Sequence, residues 1–191
     1  MAERHIKIEK TEGNIPKQEA RMVDEGGLGA ETYYEGVDQQ KRTAGDALVE
    51  TMNKIIANQG VAYIKIHQYH WHVKGPHFYT LHVKFEELYD ETTEYLDAFA
   101  ERLIAMKRRP LSTLQEFLDH ATITESIYNK EIAAEAMVED IVQDFEKTKT
   151  LVTDGISLAG DAGDDVTEDM LIAYKEYIDT TVWMLTAYLG K

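Results

Sequence analysis

Hydrophobic residues recur every three or four positions over most of the chain, which is the spacing of helices that bury one face. The first such stripe begins near residue 43 and ends at Gly75-Pro76, with Gln59 as its polar member. Its apolar members are Leu48, Met52, Ile55, Ala62, Ile66, Tyr69 and Val73. The pattern predicts a long first helix with one side in a core.

A second stripe follows directly and closes at the sequence KRRP, with Thr92 as its polar member. Its apolar members are Phe78, Leu81, Phe85, Leu88, Tyr95, Phe99, Leu103 and Met106. Because only a tight turn separates the two stripes, the first two helices are predicted to be antiparallel neighbours.

Two further helices are predicted in the second half of the chain. The third is predicted to begin at the sequence TITE, where Thr122 and Glu125 form a capping-box pattern, and to continue to about Leu151. The fourth follows the sequence GDAGDDVTED, with Asp165 and Glu168 as candidate caps. Its apolar members are Leu171, Tyr174, Ile178, Val182, Leu185 and Leu189.

Residues 107 to 121 join the second and third predicted helices and contain a short helix, with Ser112 and Gln115 as its capping box. A link of this length can run the height of a bundle, and no stretch alternates apolar and polar residues long enough to predict a strand. The predicted fold class is therefore all-α. It is a ferritin-like four-helix bundle with a short helix in the long crossover between the second and third helices.

The beginning of the chain differs from the rest. Residues 1 to 40 lack a sustained period and contain five glycines and one proline. They are predicted to form a mobile or irregular extension, and residues 41–191 to form the bundle.

Composition removes several classes of function. The chain has no cysteine, so disulfides, thiolate catalysis and zinc–thiolate sites are excluded. It has no apolar run of about 18 residues for a membrane helix and no secretory signal, so a cytoplasmic protein is expected. The net charge of −15 disfavours contact with the phosphates of nucleic acids and suits a protein that gathers cations.

Candidate chemistry is concentrated in one region, because five of the seven histidines lie between residues 67 and 87. His82 and Glu86 stand four apart and share a helix face, and Asp97 and Glu101 repeat this spacing on roughly the same side. Fifteen residues separate the two pairs, or about 22 Å along a helix axis. The two pairs cannot bind one ion within a single chain.

A two-fold dimer would resolve this, because two antiparallel copies of the second helix bring each His82–Glu86 pair to an Asp97–Glu101 pair. His70 can point to the same place across the tight turn. Imidazole with several carboxylates suits iron better than a closed zinc site. The alternative is an interface network of salt bridges. An in-bundle di-iron centre is not expected, because no histidine has a glutamate three positions before it.

The sequence from HQYHWHVKGPHFYTLHVKFEELYD to DAFAERL resembles the core of the Dps family, the ferritin-like mini-cages known as DNA-binding proteins from starved cells. The resemblance runs from about residue 45 to the C-terminus and includes GDDVTEDMLIAYKEYIDTTVWMLTAYLGK. The family pattern is a His-Trp pair, a second histidine twelve residues on, an acid four later, and D-x-x-AER. The matching residues are His70, Trp71, His82, Glu86, Asp97 and Glu101.

The resemblance implies a homododecamer of tetrahedral symmetry that oxidises Fe(II) between two-fold-related subunits, preferably with hydrogen peroxide rather than dioxygen, and stores ferric mineral. It implies that the five histidine and acidic residues of the pattern bind iron as catalytic residues. It places Trp71 beside the site, for interface packing or for trapping radicals. Four of the other histidines, His67, His72, His77 and His120, are expected to be structural or on the surface.

The resemblance also implies that the segment GDAGDDVTED lines three-fold pores that admit iron. Asp165 and Asp169 match the pore acids, and Asp161 is a weaker candidate because Gly160 stands where relatives can carry an acid. The plainer interpretation is that these acids favour the positive end of a helix.

Two classes of function stay open, together with a cage whose metal sites have decayed. One is a ferroxidase and iron store that protects against oxidative damage, and the other is a nucleoid protein that coats DNA. Family members bind DNA mainly through basic termini. Here the five basic residues before position 22 are interleaved with glutamates, so only weak DNA binding is expected.

Overall fold

The computed structural model describes residues 39–191, and every regular element in that range is a helix. The helices are α1 (Gln39–His72), α2 (Phe78–Ala105), α3 (Leu114–His120), α4 (Ala134–Ala162) and α5 (Asp165–Tyr188). The four long helices form the predicted bundle, and α3 is the predicted short helix of the crossover. The predicted extension, residues 1 to 40, lies outside the described residues except for its last two, with which α1 begins.

The bundle is held together by the predicted stripes. α1 packs along α2 and α4, and α4 packs along α5. Leu48, Met52 and Ile55 of α1 are fully buried, and Phe85 of α2 and Ile178 of α5 join the same core. No helix in the described range is both long and apolar enough to cross a membrane.

The two polar members of the stripes are also buried, and both are hydrogen-bonded. The Gln59 side-chain amide donates to the Tyr174 hydroxyl, and the Thr92 hydroxyl donates to the Leu88 carbonyl at 2.7 Å. Buried polar groups persist where such partners exist. The interruptions that the sequence shows at these positions are therefore polar contacts within the core.

The predicted start of the third long helix is wrong. α4 begins at Ala134, and residues 121 to 133 are not helical. Thr122 does not cap a helix with Glu125; instead its backbone N–H donates to Asn58 Oδ1 at 2.7 Å, and the Asn58 amide donates to its hydroxyl at 3.0 Å. These two hydrogen bonds attach the crossover to α1. α4 also runs beyond the predicted end at Leu151 and stops where Gly163 adopts φ 72°.

Two predicted caps are displaced by one residue. The capping box of α3 is formed by Thr113 and Glu116, not by Ser112 and Gln115. The Glu116 carboxylate accepts from the backbone N–H groups of both Ser112 and Thr113 at 3.0 Å, and these bonds help to lower its pKa to about 2. The Glu116 carboxylate is charged and therefore accepts these two hydrogen bonds more strongly than the neutral side-chain amide of Gln115 would.

The cap of α5 is Asp164 rather than Asp165. Its carboxylate accepts from the Thr167 backbone N–H at 3.1 Å and from the Arg102 guanidinium of α2 at 2.5 Å. The tertiary contact with Arg102 favours this residue over its neighbour, which is exposed.

Candidate metal centre

The turn between α1 and α2 brings two of the predicted metal ligands together. Gly75 adopts φ 102° in this turn, a conformation that favours glycine. The turn reverses the chain, so that His70 in the last turn of α1 lies against His82 in the second turn of α2. Their imidazole rings stack with centroids 3.7 Å apart. His70 is 8% exposed and His82 is half-buried.

Each of these histidines is oriented by the backbone of the other. The His70 Nδ1 bonds to the His82 carbonyl at 2.8 Å, and the His82 Nδ1 bonds to the His70 carbonyl at 2.9 Å. A carbonyl oxygen can only accept, so the proton of each neutral ring is assigned to Nδ1. Each Nε2 then keeps a lone pair for a metal ion, the arrangement in which a second contact fixes the tautomer of a metal-binding histidine.

The acidic candidates all lie on α2, which is unbroken from Phe78 to Ala105. Glu86 is exposed one turn after His82, whereas Asp97 and Glu101 are exposed near the far end of the helix. The axial separation from His82 to Asp97 is about 22 Å. Within residues 39–191 no three His, Asp or Glu side chains are grouped closely enough to hold a metal ion. One chain therefore brings together His70 and His82, with Glu86 nearby, and leaves Asp97 and Glu101 remote.

An aromatic cluster borders the two histidines. The His67 ring stacks on Tyr89 with centroids 3.7 Å apart and lies 5.2 Å from Trp71. The rings of Tyr89 and His70 are nearly perpendicular, with centroids 5.4 Å apart, and His67 Nδ1 bonds to the Tyr63 carbonyl at 2.8 Å. His67 is thus a packed member of this cluster, and Trp71 presents most of its ring to solvent, being 65% exposed.

Tyr89 is the neighbour of the site that sequence reasoning missed. Desolvation and the nearby charges of Glu86 and Asp90 raise the pKa of its phenol above the ordinary value. Its position could have been predicted from spacing, because Tyr89 follows His82 by seven residues and so lies two turns further along the same helix face.

The candidate pore acids lie around the α4–α5 junction. Asp161, Asp165 and Asp169 are all exposed. Asp164 is different: burial raises its pKa, but the bonds from Thr167 and the Arg102 guanidinium outweigh this, and the pKa lies below its ordinary value. Asp164 therefore serves the fold, and the three exposed acids are the ones free to meet ions from solvent.

Comparison with known proteins agrees with this architecture. The family model for the ferritin-like domain matches residues 49–191. General stress protein 20U of Bacillus subtilis is 45% identical over 145 residues, which is 76% of this chain and 99% of that protein. The DNA protection during starvation protein of Listeria innocua is 45% identical over 142 residues, covering 74% of this chain and 91% of that protein.

Solved structures give the same result. Dps from Staphylococcus aureus aligns with a TM-score of 0.72 at 45% identity, covering 74% of this chain and 94% of that one. Dps from Listeria monocytogenes aligns with a TM-score of 0.74 at 44% identity, covering 75% of this chain and 94% of that one. Both the sequence relatives and the structural neighbours span nearly the whole bundle. The chain therefore belongs to the Dps family of ferritin-like proteins.

Proposed function

We propose that this chain is an iron-storage and detoxification protein of the cytoplasm. It oxidises Fe(II) as its substrate at sites shared by two-fold-related subunits, prefers hydrogen peroxide to dioxygen, and retains ferric mineral in a homododecameric cage. One observation carries the proposal: His70 and His82 both keep Nε2 free, and α2 carries Glu86 one turn after His82 but its other candidate ligands about 22 Å away.

A second copy of the chain completes the proposed site. When two α2 helices cross antiparallel, Asp97 and Glu101 of one copy meet His82 and Glu86 of the other, twice per dimer. Neutral imidazoles bind Fe(II), and the carboxylates offset the added charge of Fe(III). Glu86, Asp97 and Glu101 are exposed in a single chain, as expected for ligands that bind a metal ion only in the dimer.

The proposed reaction removes both reagents that would otherwise form hydroxyl radical. Two Fe(II) ions give one electron each to one hydrogen peroxide molecule. Its O–O bond breaks, and the products are two Fe(III) ions and two hydroxide ions. The chain's own residues hold the two metal ions close to the same oxidant molecule, which makes two-electron reduction of peroxide faster than one-electron release of a radical.

Uptake of iron is assigned to the acids at the α4–α5 junction. Asp165 and Asp169 are one turn apart and exposed, with Asp161 nearby. Three copies around a pore would focus a negative potential and raise the local concentration of cations. The chain's net charge of −15 gives twelve copies a formal charge of 12 × −15 = −180, which acts in the same direction.

The experiment that tests the proposal is an anaerobic titration with Fe(II) followed by hydrogen peroxide, with oxidation recorded in the near ultraviolet. The native mass of the same preparation reports the assembly. We expect a dodecamer that consumes about two Fe(II) per peroxide. A chain that remains monomeric and still oxidises iron at the full rate would contradict the shared site.

DNA protection is the second candidate function, because several relatives carry that name. The proposed extension of residues 1 to 40 has five basic and nine acidic residues. We therefore propose that protection by this chain acts chiefly through removal of iron and peroxide, with direct DNA binding weak. A mobility-shift assay at low salt, with and without divalent cations, separates the two functions.

A further inference from the structure

Lys65 holds a buried positive charge between the buried carboxylate of Asp144 and the half-exposed carboxylate of Asp140. Its Nζ lies 2.5 Å from Asp140 Oδ2 and 2.5 Å from Asp144 Oδ2. The Lys65 side chain is 7% exposed and that of Asp144 is 9% exposed. Lysine is almost never buried to this extent unless it is paired. Asp140 and Asp144 are one turn apart on α4, so both carboxylates face the same point on α1.

Each of the two carboxylates that bind the Lys65 ammonium has a further polar partner. The Tyr69 hydroxyl donates to Asp140 Oδ2 at 2.6 Å, and Lys147 Nζ lies 3.4 Å from Asp144 Oδ1. With these two lysines the charges of the two carboxylates are balanced. The ammonium thus occupies a point where oxygen atoms from two helices converge.

The residues around the buried ammonium border a surface groove on one side and a small cavity on the other. Asp140 and Tyr69 line a groove of about 710 Å³ at the protein surface. Lys65 and Asp144 line a small cavity of about 20 Å³, together with Asn58, Gln59 and Thr148. That volume holds about one water molecule. An ion that entered through the groove would find three possible oxygen ligands, from two carboxylates and a phenol. The adjoining cavity has space for a water molecule as a further ligand.

We propose that Lys65 is a built-in counter-cation that excludes metal ions from the interior of the bundle. Ferritin-like proteins can hold metal ions between their helices with carboxylates, and here the ammonium occupies the carboxylate pair. Without it, two like charges face each other, and a hard divalent cation with oxygen ligands relieves their repulsion. Lys65 is therefore a specificity-determining residue, which confines iron to the subunit interface. This last consequence rests on the proposed function; the exclusion itself can be measured independently.

The test uses the full chain with Lys65→Ala and, separately, Lys65→Gln, which keeps most of the side-chain volume and adds an oxygen ligand. Mn²⁺ is the probe, and bound Mn²⁺ per chain is counted by equilibrium dialysis with electron paramagnetic resonance. We expect each variant to gain one Mn²⁺ per chain over the parent protein. We also expect Mn²⁺ to raise its melting temperature by several degrees, with no such rise in the parent. Adding Asp144→Asn should remove the extra ion.

A matched control is Lys54→Ala on the same helix. Lys54 pairs with a single exposed carboxylate, that of Glu50 at 2.7 Å, so its removal should add no ion. All counts are repeated with Asp97→Ala present, so that loss of the proposed interfacial site is seen separately from any gain in the bundle. Folded Lys65 variants that bind no more Mn²⁺ than the parent overturn the inference. Variants that fail to fold even in millimolar Mn²⁺ also overturn it, since the ion should replace the ammonium.

Discussion

His70 and His82 exchange hydrogen bonds across the turn between α1 and α2, each ring Nδ1 donating to the other residue's carbonyl at 2.8 and 2.9 Å. The pair therefore orients both rings in advance of the metal binding that we propose. It also couples the two residues, because loss of either ring leaves the other's carbonyl without this partner. Ligands that are held in place in advance lose little side-chain freedom on binding.

The first prediction concerns the remote acids. Asp97→Ala or Glu101→Ala should nearly abolish fast Fe(II) oxidation by peroxide, because each removes a ligand of the shared site that we propose. Both residues are exposed in the single chain, so their replacement should change its stability by less than about 0.5 kcal/mol. Stopped-flow absorbance measures the rate and native mass confirms the cage. Glu94→Ala, an exposed acid on the same helix, is the control and should behave like the parent.

The second prediction concerns the imidazoles. His82→Ala should weaken Fe(II) binding and slow oxidation by about tenfold or more, on the scale seen when groups around a metal site are removed. Binding should also weaken as the pH falls, because a protonated imidazole cannot bind a metal ion. Anaerobic Fe(II) titration at several pH values measures both effects. His120→Ala alters an exposed histidine on α3, and an equal loss in that variant would refute the assignment.

The third prediction concerns iron uptake. Asp165→Asn with Asp169→Asn should slow the filling of the proposed cage and leave oxidation at the proposed centre unchanged, since the substitutions remove charge from the proposed pore alone. The difference should shrink at high salt, where charges are screened beyond about 3 Å at 1 M. Uptake of many Fe(II) ions per cage is compared with oxidation of the first few. Identical uptake by both proteins at low salt would eliminate the pore proposal.

The fourth prediction concerns the cap of α5. Asp164→Ala should destabilise the protein by about 1–2 kcal/mol at neutral pH, because it removes a helix cap and the partner of Arg102. The folded-state pKa of Asp164 lies below its ordinary value of 3.8, so its contribution is full above that value and is lost as the pH falls through the lower one. Thermal melts at equal protein concentration measure the loss. Asp165→Ala should cost much less, and a reversed order would show that the cap is misassigned.

The fifth prediction concerns DNA. A dodecamer with a formal charge of −180 should not bind DNA tightly at physiological salt, because basic residues near the N-terminus are interleaved with acids. Weak binding bridged by divalent ions is compatible with this expectation. Titration of labelled duplex DNA provides the measurement. A sub-micromolar complex that survives a metal chelator and disappears when residues 1 to 40 are deleted would contradict it.

The periodic part of the structure could be predicted from sequence because burial imposes the helical period directly. Leu48, Phe85 and Ile178 were placed in the core by spacing alone, and all three are buried. Spacing also set the relation among the candidate ligands of α2, since four residues bring His82 and Glu86 to one face and fifteen residues separate His82 from Asp97. These are properties of one helix and need no knowledge of its neighbours.

Only the tertiary structure decided the bounds of α4, the caps of α3 and α5, and the contacts of the polar groups. Thr122 matches a helix cap locally, but its bonds to Asn58 come from a residue 64 positions away. Asp164 caps α5 with support from Arg102 on another helix, and the ammonium of Lys65 meets its carboxylates 75 and 79 residues further along the chain. Local sequence offers several caps and partners of nearly equal energy. The choice among them depends on which donors and acceptors the packed bundle brings within reach.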